Sequence, residues 1–209
     1  MKTFITLDIE TIPTQRQDVR EYIAKTVTHP GNISKPETIA KWNEESKPAA
    51  VEEAVSKTGL DGAFGQVVCI GIAYADCTPV VFSGLDERAI LTDLYKWFDD
   101  IHPNEWFTNA IVGHNVSAFD LRFLIQRHIV NSVAPHPLLA RAANAKPWES
   151  DKVFDTMVQF AGVGNRISLD KLCLALGLPG EGDITGADVW PMVQSGRLQE
   201  VADYCADDV

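Results

Sequence analysis

The sequence predicts a single α/β domain, and three observations carry that expectation. Short apolar, β-branched runs alternate with longer segments of helical period, the pattern of a sheet covered by helices. At 209 residues with 45% apolar side chains, the chain can bury one substantial core. No apolar run is long enough to span a bilayer, so no membrane partner is expected.

The elements follow in chain order. Residues 2–9 read as a strand. "FGQVVCIGIAYAD" (64–76) is a long β-branched run that reads as a central strand, and "TPVVFS" (78–83) follows a tight turn as its hairpin partner. Asp86 or Ser83 can cap a helix over 87–101, where Ile90, Leu94, Trp97, Phe98 and Ile101 share one face. "TNAIVGHN" (108–115) is a further strand, after which Ser117 is expected to cap a helix that turns Leu121, Leu124, Ile125 and Ile129 inward. "KVFDT" (152–156) reads as an edge strand, and residues 168–176 as a short helix closed by Gly177 and Pro179. A final helix begins near Arg197. Two stretches break the pattern. Residues 13–63 and 131–150 are polar or rich in Pro, Ala and Asn, and read as surface excursions of a kind that often carries function.

The candidate chemistry begins at the end of the first strand, in "FITLDIETIP". Side chains i and i+2 of a strand share a face, so Asp8 and Glu10 project side by side, where like charges repel. Spacing alone proves nothing: with 29 acids in the chain, about four such pairs are expected by chance. Two others occur, Glu149/Asp151 and Glu181/Asp183. Further acids sit in more telling places. Asp120 lies in the first turn of a helix that follows an apolar strand, where the helix dipole favours it. Tyr204 and Asp208 in "VADYCADDV" are four residues apart, hence neighbours on one helical face. Val201 and Cys205 belong to the same stripe, so that face points inward and carries Asp208 with it. A buried carboxylate needs a partner, and this helix offers no Lys, Arg or His. Asp8, Glu10, Asp120 and Asp208 therefore form an oxygen-only ligand set suited to two ions of Mg²⁺ or Mn²⁺. Such a pair can clamp an in-line phosphoryl displacement, with Tyr204 beside Asp208 orienting the attacking water.

Composition narrows the setting. The net charge of −11 disfavours a broad basic face wrapped around duplex DNA. Between Arg122 and Lys171, however, seven Lys/Arg face four Asp/Glu, so a local basic track beside an acidic pocket is one reading and surface scatter the other. Cys69, Cys77, Cys173 and Cys205 are scattered without CxxC spacing, which argues against zinc. Together with an N-terminus that runs directly into a strand, they lead to a cytoplasmic expectation.

"LDIET", "GHNVSAFDLRFL" and "YCADDV" resemble the three motifs of the DEDD 3′–5′ exonuclease superfamily, in the family's order and spanning nearly the whole chain. The Tyr-x-x-x-Asp spacing is similar to the tyrosine branch. "LDIETIP", and an Asn five residues before the second-motif Asp, look like the proofreading exonuclease domains of family-B DNA polymerases and their stand-alone relatives. The resemblance implies a ribonuclease H-like fold: a mixed five-stranded sheet, its first three strands antiparallel, with helices on both faces. It implies a hydrolase that cuts phosphodiester bonds at a 3′ end. Asp8, Glu10 and Asp208 would hold one metal, Asp8 and Asp120 the other, and Tyr204 would position the nucleophile. Thr11 and Ile12 fall where relatives touch the terminal nucleotide. Asn115 is a candidate hydrogen-bond partner of the strand, and Phe119 either stacks on a base or packs in the core. His114 reads as a hydrogen-bonding strand-end residue and Asp155 as a helix cap, although the resemblance also implies an acid near the site at that position. Arg141, Lys146 and Trp148 read as solvated loop residues. The expected partner is nucleic acid with a free 3′ end, single-stranded or frayed DNA being favoured by the polymerase likeness. The alternatives are an RNA-trimming exonuclease of the ribonuclease D type and a non-catalytic nucleic-acid-binding module.

Overall fold

A computed structural model of the chain describes residues 4–101, 109–180 and 184–209. Residues 2–3 of the first expected strand, residue 108 of the fourth and the Glu181/Asp183 pair lie outside the described residues. The chain divides into two compact units, Ile12–Gln66 and Met1–Thr11 with Val67–Val209.

The smaller unit holds α1 (Gln17–Thr26), α2 (Pro36–Glu45), α3 (Lys47–Ser56) and a 3₁₀ turn (Lys57–Leu60). Val19, Ile23 and Val55 are its buried core, with Val51, Ala54 and Phe64 packed around them. Thr58 Oγ accepts from the Thr14 N–H at 2.8 Å and donates to the Val55 carbonyl at 2.6 Å, closing the unit on itself. The segment that reads as a polar excursion is thus largely helical. Its apolar residues recur at i, i+4 but are too few among the charges to show a period.

The larger unit is built on a five-stranded sheet: β1 (Phe4–Ile12), β2 (Gln66–Tyr74), β3 (Val80–Ser83), β4 (Ala110–Gly113) and β5 (Val153–Asp155), in the order β3-β2-β1-β4-β5. β2 and β3 form an antiparallel hairpin, with Cys69 opposite Ser83. The Ala75 N–H, just past β2, donates to the carbonyl of Phe4 at the start of β1, so these two strands also run antiparallel. β4 pairs with β1, and β5 with β4, in parallel. The sheet is mixed, as expected. The middle strand is β1 rather than β2, although β2 is buried at every position from Val67 to Ala73.

Around the sheet lie α4 (Glu87–Ile101), α5 (Asp120–Val130), α6 (Pro137–Ala143), α7 (Thr156–Ala161), α8 (Leu169–Leu176), α9 (Gly186–Gln194) and α10 (Leu198–Asp207). Ile5, Leu7 and Ile9 of β1 pack with Ile90, Leu91, Leu94 and Phe98 of α4 and with Leu121 and Leu124 of α5. Asp86 caps α4 by accepting from the Ala89 N–H at 3.1 Å. Ser168 caps α8, and Gly177 closes it at φ +70°, a conformation glycine adopts freely. α5 differs from expectation in two ways. Its N-terminus is at Asp120 with no side-chain cap, and the Ser117 N–H donates to Asp155 instead. Ile129 is 72% exposed, because α5 turns Phe123 and His128 inward. Within the 131–150 excursion, α6 buries Leu138 and Leu139.

One buried ion pair joins these elements. The Glu87 carboxylate accepts from Arg127 Nε at 2.8 Å and Nη2 at 2.7 Å, from Asn131 Nδ2 at 2.6 Å and from the Val67 N–H at 2.7 Å. It ties α4, α5 and the start of β2 through a carboxylate whose oxygens all meet donors. Among the described residues, no helix is long and apolar enough to cross a membrane.

Candidate active site

Strand alternation does the first part of the assembly. Ile5, Leu7 and Ile9 enter the core, so Asp8 and Glu10 emerge together on the other face of β1. Carboxylate oxygens of Asp8, Glu10 and Asp208 lie within 4.8 Å of one another. Asp120 reaches the same strand: its Oδ1 accepts from the N–H of Ile9, the residue between the two acids, at 3.2 Å. The four acids picked out from the sequence are therefore neighbours.

Two glycines permit the approach of the remote elements. A Cβ on Gly113, at the end of β4, would stand 2.8 Å from the Leu7 carbonyl oxygen and 2.8 Å from Val116 Cβ, so only glycine lets the chain turn against β1 there. A Cβ on Gly71 would meet the Cys205 carbonyl oxygen at 2.4 Å and Val209 Cγ2 at 2.7 Å. That bare stretch of β2 is where α10 seats, and α10 carries Tyr204 and Asp208.

The electrostatics match a cluster of like charges. Burial, then the charges of Asp120, Glu10 and Asp208, push the Asp8 carboxyl well above its ordinary range. Burial pushes Asp120 up to about 7, against the pull of its backbone N–H donors. Asp208 is also raised, first by burial, with a hydrogen bond from Tyr204 opposing the shift. Its position as C-cap of α10 adds the negative end of the helix dipole. All the donors are hard oxygens, which suits divalent ions of the Mg²⁺ or Mn²⁺ kind.

A cavity of about 330 Å³ opens over the cluster, lined by Asp8, Glu10, Asp120, Tyr204 and Asp208 together with His114, Asn115, Phe119 and Thr156. No Lys or Arg is among its described lining residues. Phe119 is packed against the core, 5.6 Å from the Phe123 ring, and also lines the cavity. Thr11 is not in the lining, and Ile12 is fully buried at the start of the smaller unit. His114 is held by Thr156 Oγ at 3.0 Å and the Ile167 carbonyl at 2.9 Å, the hydrogen-bonding role read for it. Trp148 is 75% exposed with Lys146 over its ring, and Arg141 bonds the Asn109 carbonyl.

Beside the main cavity lie two others. One of about 710 Å³ adjoins Tyr204 and Asp208 and is lined by Glu200, Asp203 and Asp207. The other, of about 360 Å³, shares His114 and Asn115 with the main cavity and adds Arg166 and Ser168. Arg166 is a residue the sequence reading passed over, because nothing local distinguishes it from any exposed arginine. Asp155 was read as a helix cap, which it is, but its carboxylate also accepts from the Asn115 and Ser117 N–H groups at 3.0 Å each.

With this geometry in place, known proteins sharpen the reading. The chain matches, over residues 61–209, a family described as "Predicted 3′-5′ exonuclease related to the exonuclease domain of PolB". It is similar to the DNA polymerase delta catalytic subunit of Arabidopsis thaliana, at 28% identity over 121 residues, covering 55% of this chain and 10% of that subunit. The Glycine max subunit of the same name is 31% identical over 83 residues, 38% of this chain and 7% of its own length. Among solved structures, the family B DNA polymerase of the hyperthermophilic archaeon Pyrobaculum calidifontis superposes with a TM-score of 0.58 at 15% identity, over 100% of this chain and 23% of the polymerase. That likeness is one of fold, ribonuclease H-like, and the chain spans a small part of each relative. The family match covers most of the chain, including Asp120, Tyr204 and Asp208: the chain belongs to the family described as predicted 3′–5′ exonucleases related to the exonuclease domain of PolB.

Proposed function

We propose that the chain removes nucleotides from the 3′ end of single-stranded or frayed DNA by a two-metal mechanism, as a member of the tyrosine branch of its superfamily. The observation that carries this reading is the convergence of Asp8, Glu10 and Asp208 oxygens within 4.8 Å, with Asp120 bonded to the strand between them. Asp8, Glu10 and Asp208 are the residues that would hold one ion, and Asp8 with Asp120 the other. When bound, such ions offset the phosphodiester charge and acidify the attacking water. Tyr204, on the helix face that carries Asp208, orients that water. Phe119 offers a stacking face to the terminal base, and Asn115 a hydrogen-bonding side chain.

Charge also suggests how the strand leaves the cavity. The 710 Å³ neighbour is lined by Glu200, Asp203 and Asp207, which repel phosphate. The neighbour beyond Asn115 contributes Arg166, the one Lys or Arg among the described lining residues of the three cavities. The strand therefore runs from the acids past Asn115 to Arg166. Arg166→Gln should raise KM more than it lowers kcat, and flatten the dependence of log affinity on log salt by about 0.7 of a unit, the single-strand value for one phosphate contact.

The direct test is an end-labelled oligonucleotide offered as single-stranded DNA, single-stranded RNA and mismatched duplex. Shortening from the 3′ end is expected with Mg²⁺ or Mn²⁺ and none with EDTA, fastest on single-stranded DNA. Asp8→Asn and Asp120→Asn should each lose more than about 10²-fold in rate, the scale of removing one electrostatic contact to a transition state. Robust cleavage by both variants would overturn the assignment, and faster cleavage of RNA would overturn the substrate.

A further inference from the structure

We propose that Asp155 is a positioning residue: its carboxylate locks the left-handed turn at Asn115 and thereby sets the loop that delivers Asn115, Phe119 and Asp120 to the cavity. This rests on the exonuclease reading above. Asp155 ends β5, is 3% exposed, and bonds to backbone N–H groups from two separate segments. Oδ1 accepts from Asn115 at 3.0 Å, Met157 at 3.1 Å and Val158 at 3.3 Å, and Oδ2 accepts from Ser117 at 3.0 Å. The Met157 and Val158 bonds are those of an ordinary helix cap on α7. The other two belong to no helix.

They reach into the loop after β4, which the parallel pairing of Gly113 with Asp155 brings alongside. Asn115 stands there at φ +58°, a conformation that L residues seldom adopt and asparagine tolerates better than most. Its carbonyl accepts from the N–H groups of Ala118 at 3.1 Å and Phe119 at 3.0 Å, which starts the turn into α5. The first residue of α5 is Asp120, bonded to Ile9. Anchoring the backbone at 115 and again at 117 leaves that turn one arrangement, and Phe119 and Asp120 inherit it. A cap on α7 needs neither bond.

Asp155→Asn separates the two roles. Asparagine caps a helix about as well as aspartate. With its oxygen in the Oδ1 position the amide keeps three bonds, and its NH₂ then faces the Ser117 N–H, donor against donor. The variant retains the cap and frees the turn. The expected result is a little-changed melting temperature, a kcat lower by roughly 10- to 100-fold, the range for losing a group that orients site residues, and a smaller change in KM. Hydrogen exchange should quicken at the Ser117 amide, which loses its acceptor, and not at Met157 and Val158. In an Asn115→Gly background the further loss from Asp155→Asn should shrink, because glycine holds a positive φ unaided. Wild-type kcat with unchanged exchange at 117 would overturn the proposal. Should Asp155→Asn not fold, Asp155→Ser, which also caps helices, serves the same comparison. If the unaltered chain cleaves nothing, the exonuclease reading fails, and the exchange pattern still decides the role of Asp155.

Discussion

Two groups of buried acids sit in the larger unit, and they are arranged by opposite rules. Around Glu87 the carboxylate oxygens face Arg127, Asn131 and the Val67 N–H, and the pair is closed to solvent. Around Asp8 the nearest charges are Asp120, Glu10 and Asp208, and their cavity opens outward without a Lys or Arg in its described lining. The difference teaches how to read a buried carboxylate. A buried carboxylate with its donors in place serves the fold, and a cluster of carboxylates without a cation is where one from solution would bind.

The contrast breaks most sharply under substitution. Glu87→Ala strands the buried Arg127 guanidinium and should destabilise the chain by about 3–5 kcal/mol, lowering the melting temperature by roughly 10 °C for a chain of this size. Calorimetry reads the change, and an unaltered melt would remove Glu87 from the fold-serving class. Gly71→Ala comes next. Its methyl must displace the backbone of α10 at Cys205, which should destabilise by about 1–3 kcal/mol and slow cleavage as Tyr204 and Asp208 move with the helix. A stable and fully active variant would show that α10 does not seat on that glycine.

The smallest effect has the opposite sign. Asp8→Asn removes a like charge from the cluster, so the metal-free chain should melt at the same temperature or slightly higher while cleavage is lost. The same logic fixes a pH dependence. Asp8, Asp120 and Asp208 have raised values, so between their ordinary range near 3.8 and about 7, where Asp120 titrates, the folded chain holds protons that the unfolded chain has released. The contribution of these three carboxyls to stability in EDTA is therefore greatest at the acid end of that window and declines as pH rises through it. Mg²⁺ or Mn²⁺ should restore it above pH 7 and do little at pH 5, where it competes with protons. Thermal melts at both pH values check this, and a metal effect larger at pH 5 would contradict it.

The sequence revealed the acids better than their surroundings. Asp8 and Glu10 are legible because strand alternation is local, and Asp208 because Val201, Tyr204 and Cys205 mark an inward helical stripe. The β2–β3 hairpin, the cap at Asp86 and the close of α8 at Gly177 are legible for the same reason. What stayed hidden is made of long-range pairs. Glu87 and Arg127 lie 40 residues apart and look like ordinary helix charges. The bonds of Asp155 run to backbone N–H groups, which every residue but proline carries, so no side-chain pattern announces them. The inward turn of His128 in place of Ile129 reverses the usual hydrophobic preference, and tertiary packing decided it.

The seating of α10 on Gly71 has a consequence for how the carboxylate cluster comes into being. Asp120 bonds a residue 111 positions earlier, and Cys205 lies against the Asp8 carbonyl across a separation of 197. Contacts so distant along the chain form late, after the loop entropy between them has been overcome. A ribosome-bound chain can present Asp8 and Glu10 long before Asp208 has been synthesised. The cluster of Asp8, Glu10 and Asp208 is therefore complete only once α10 has been made and has docked against Gly71.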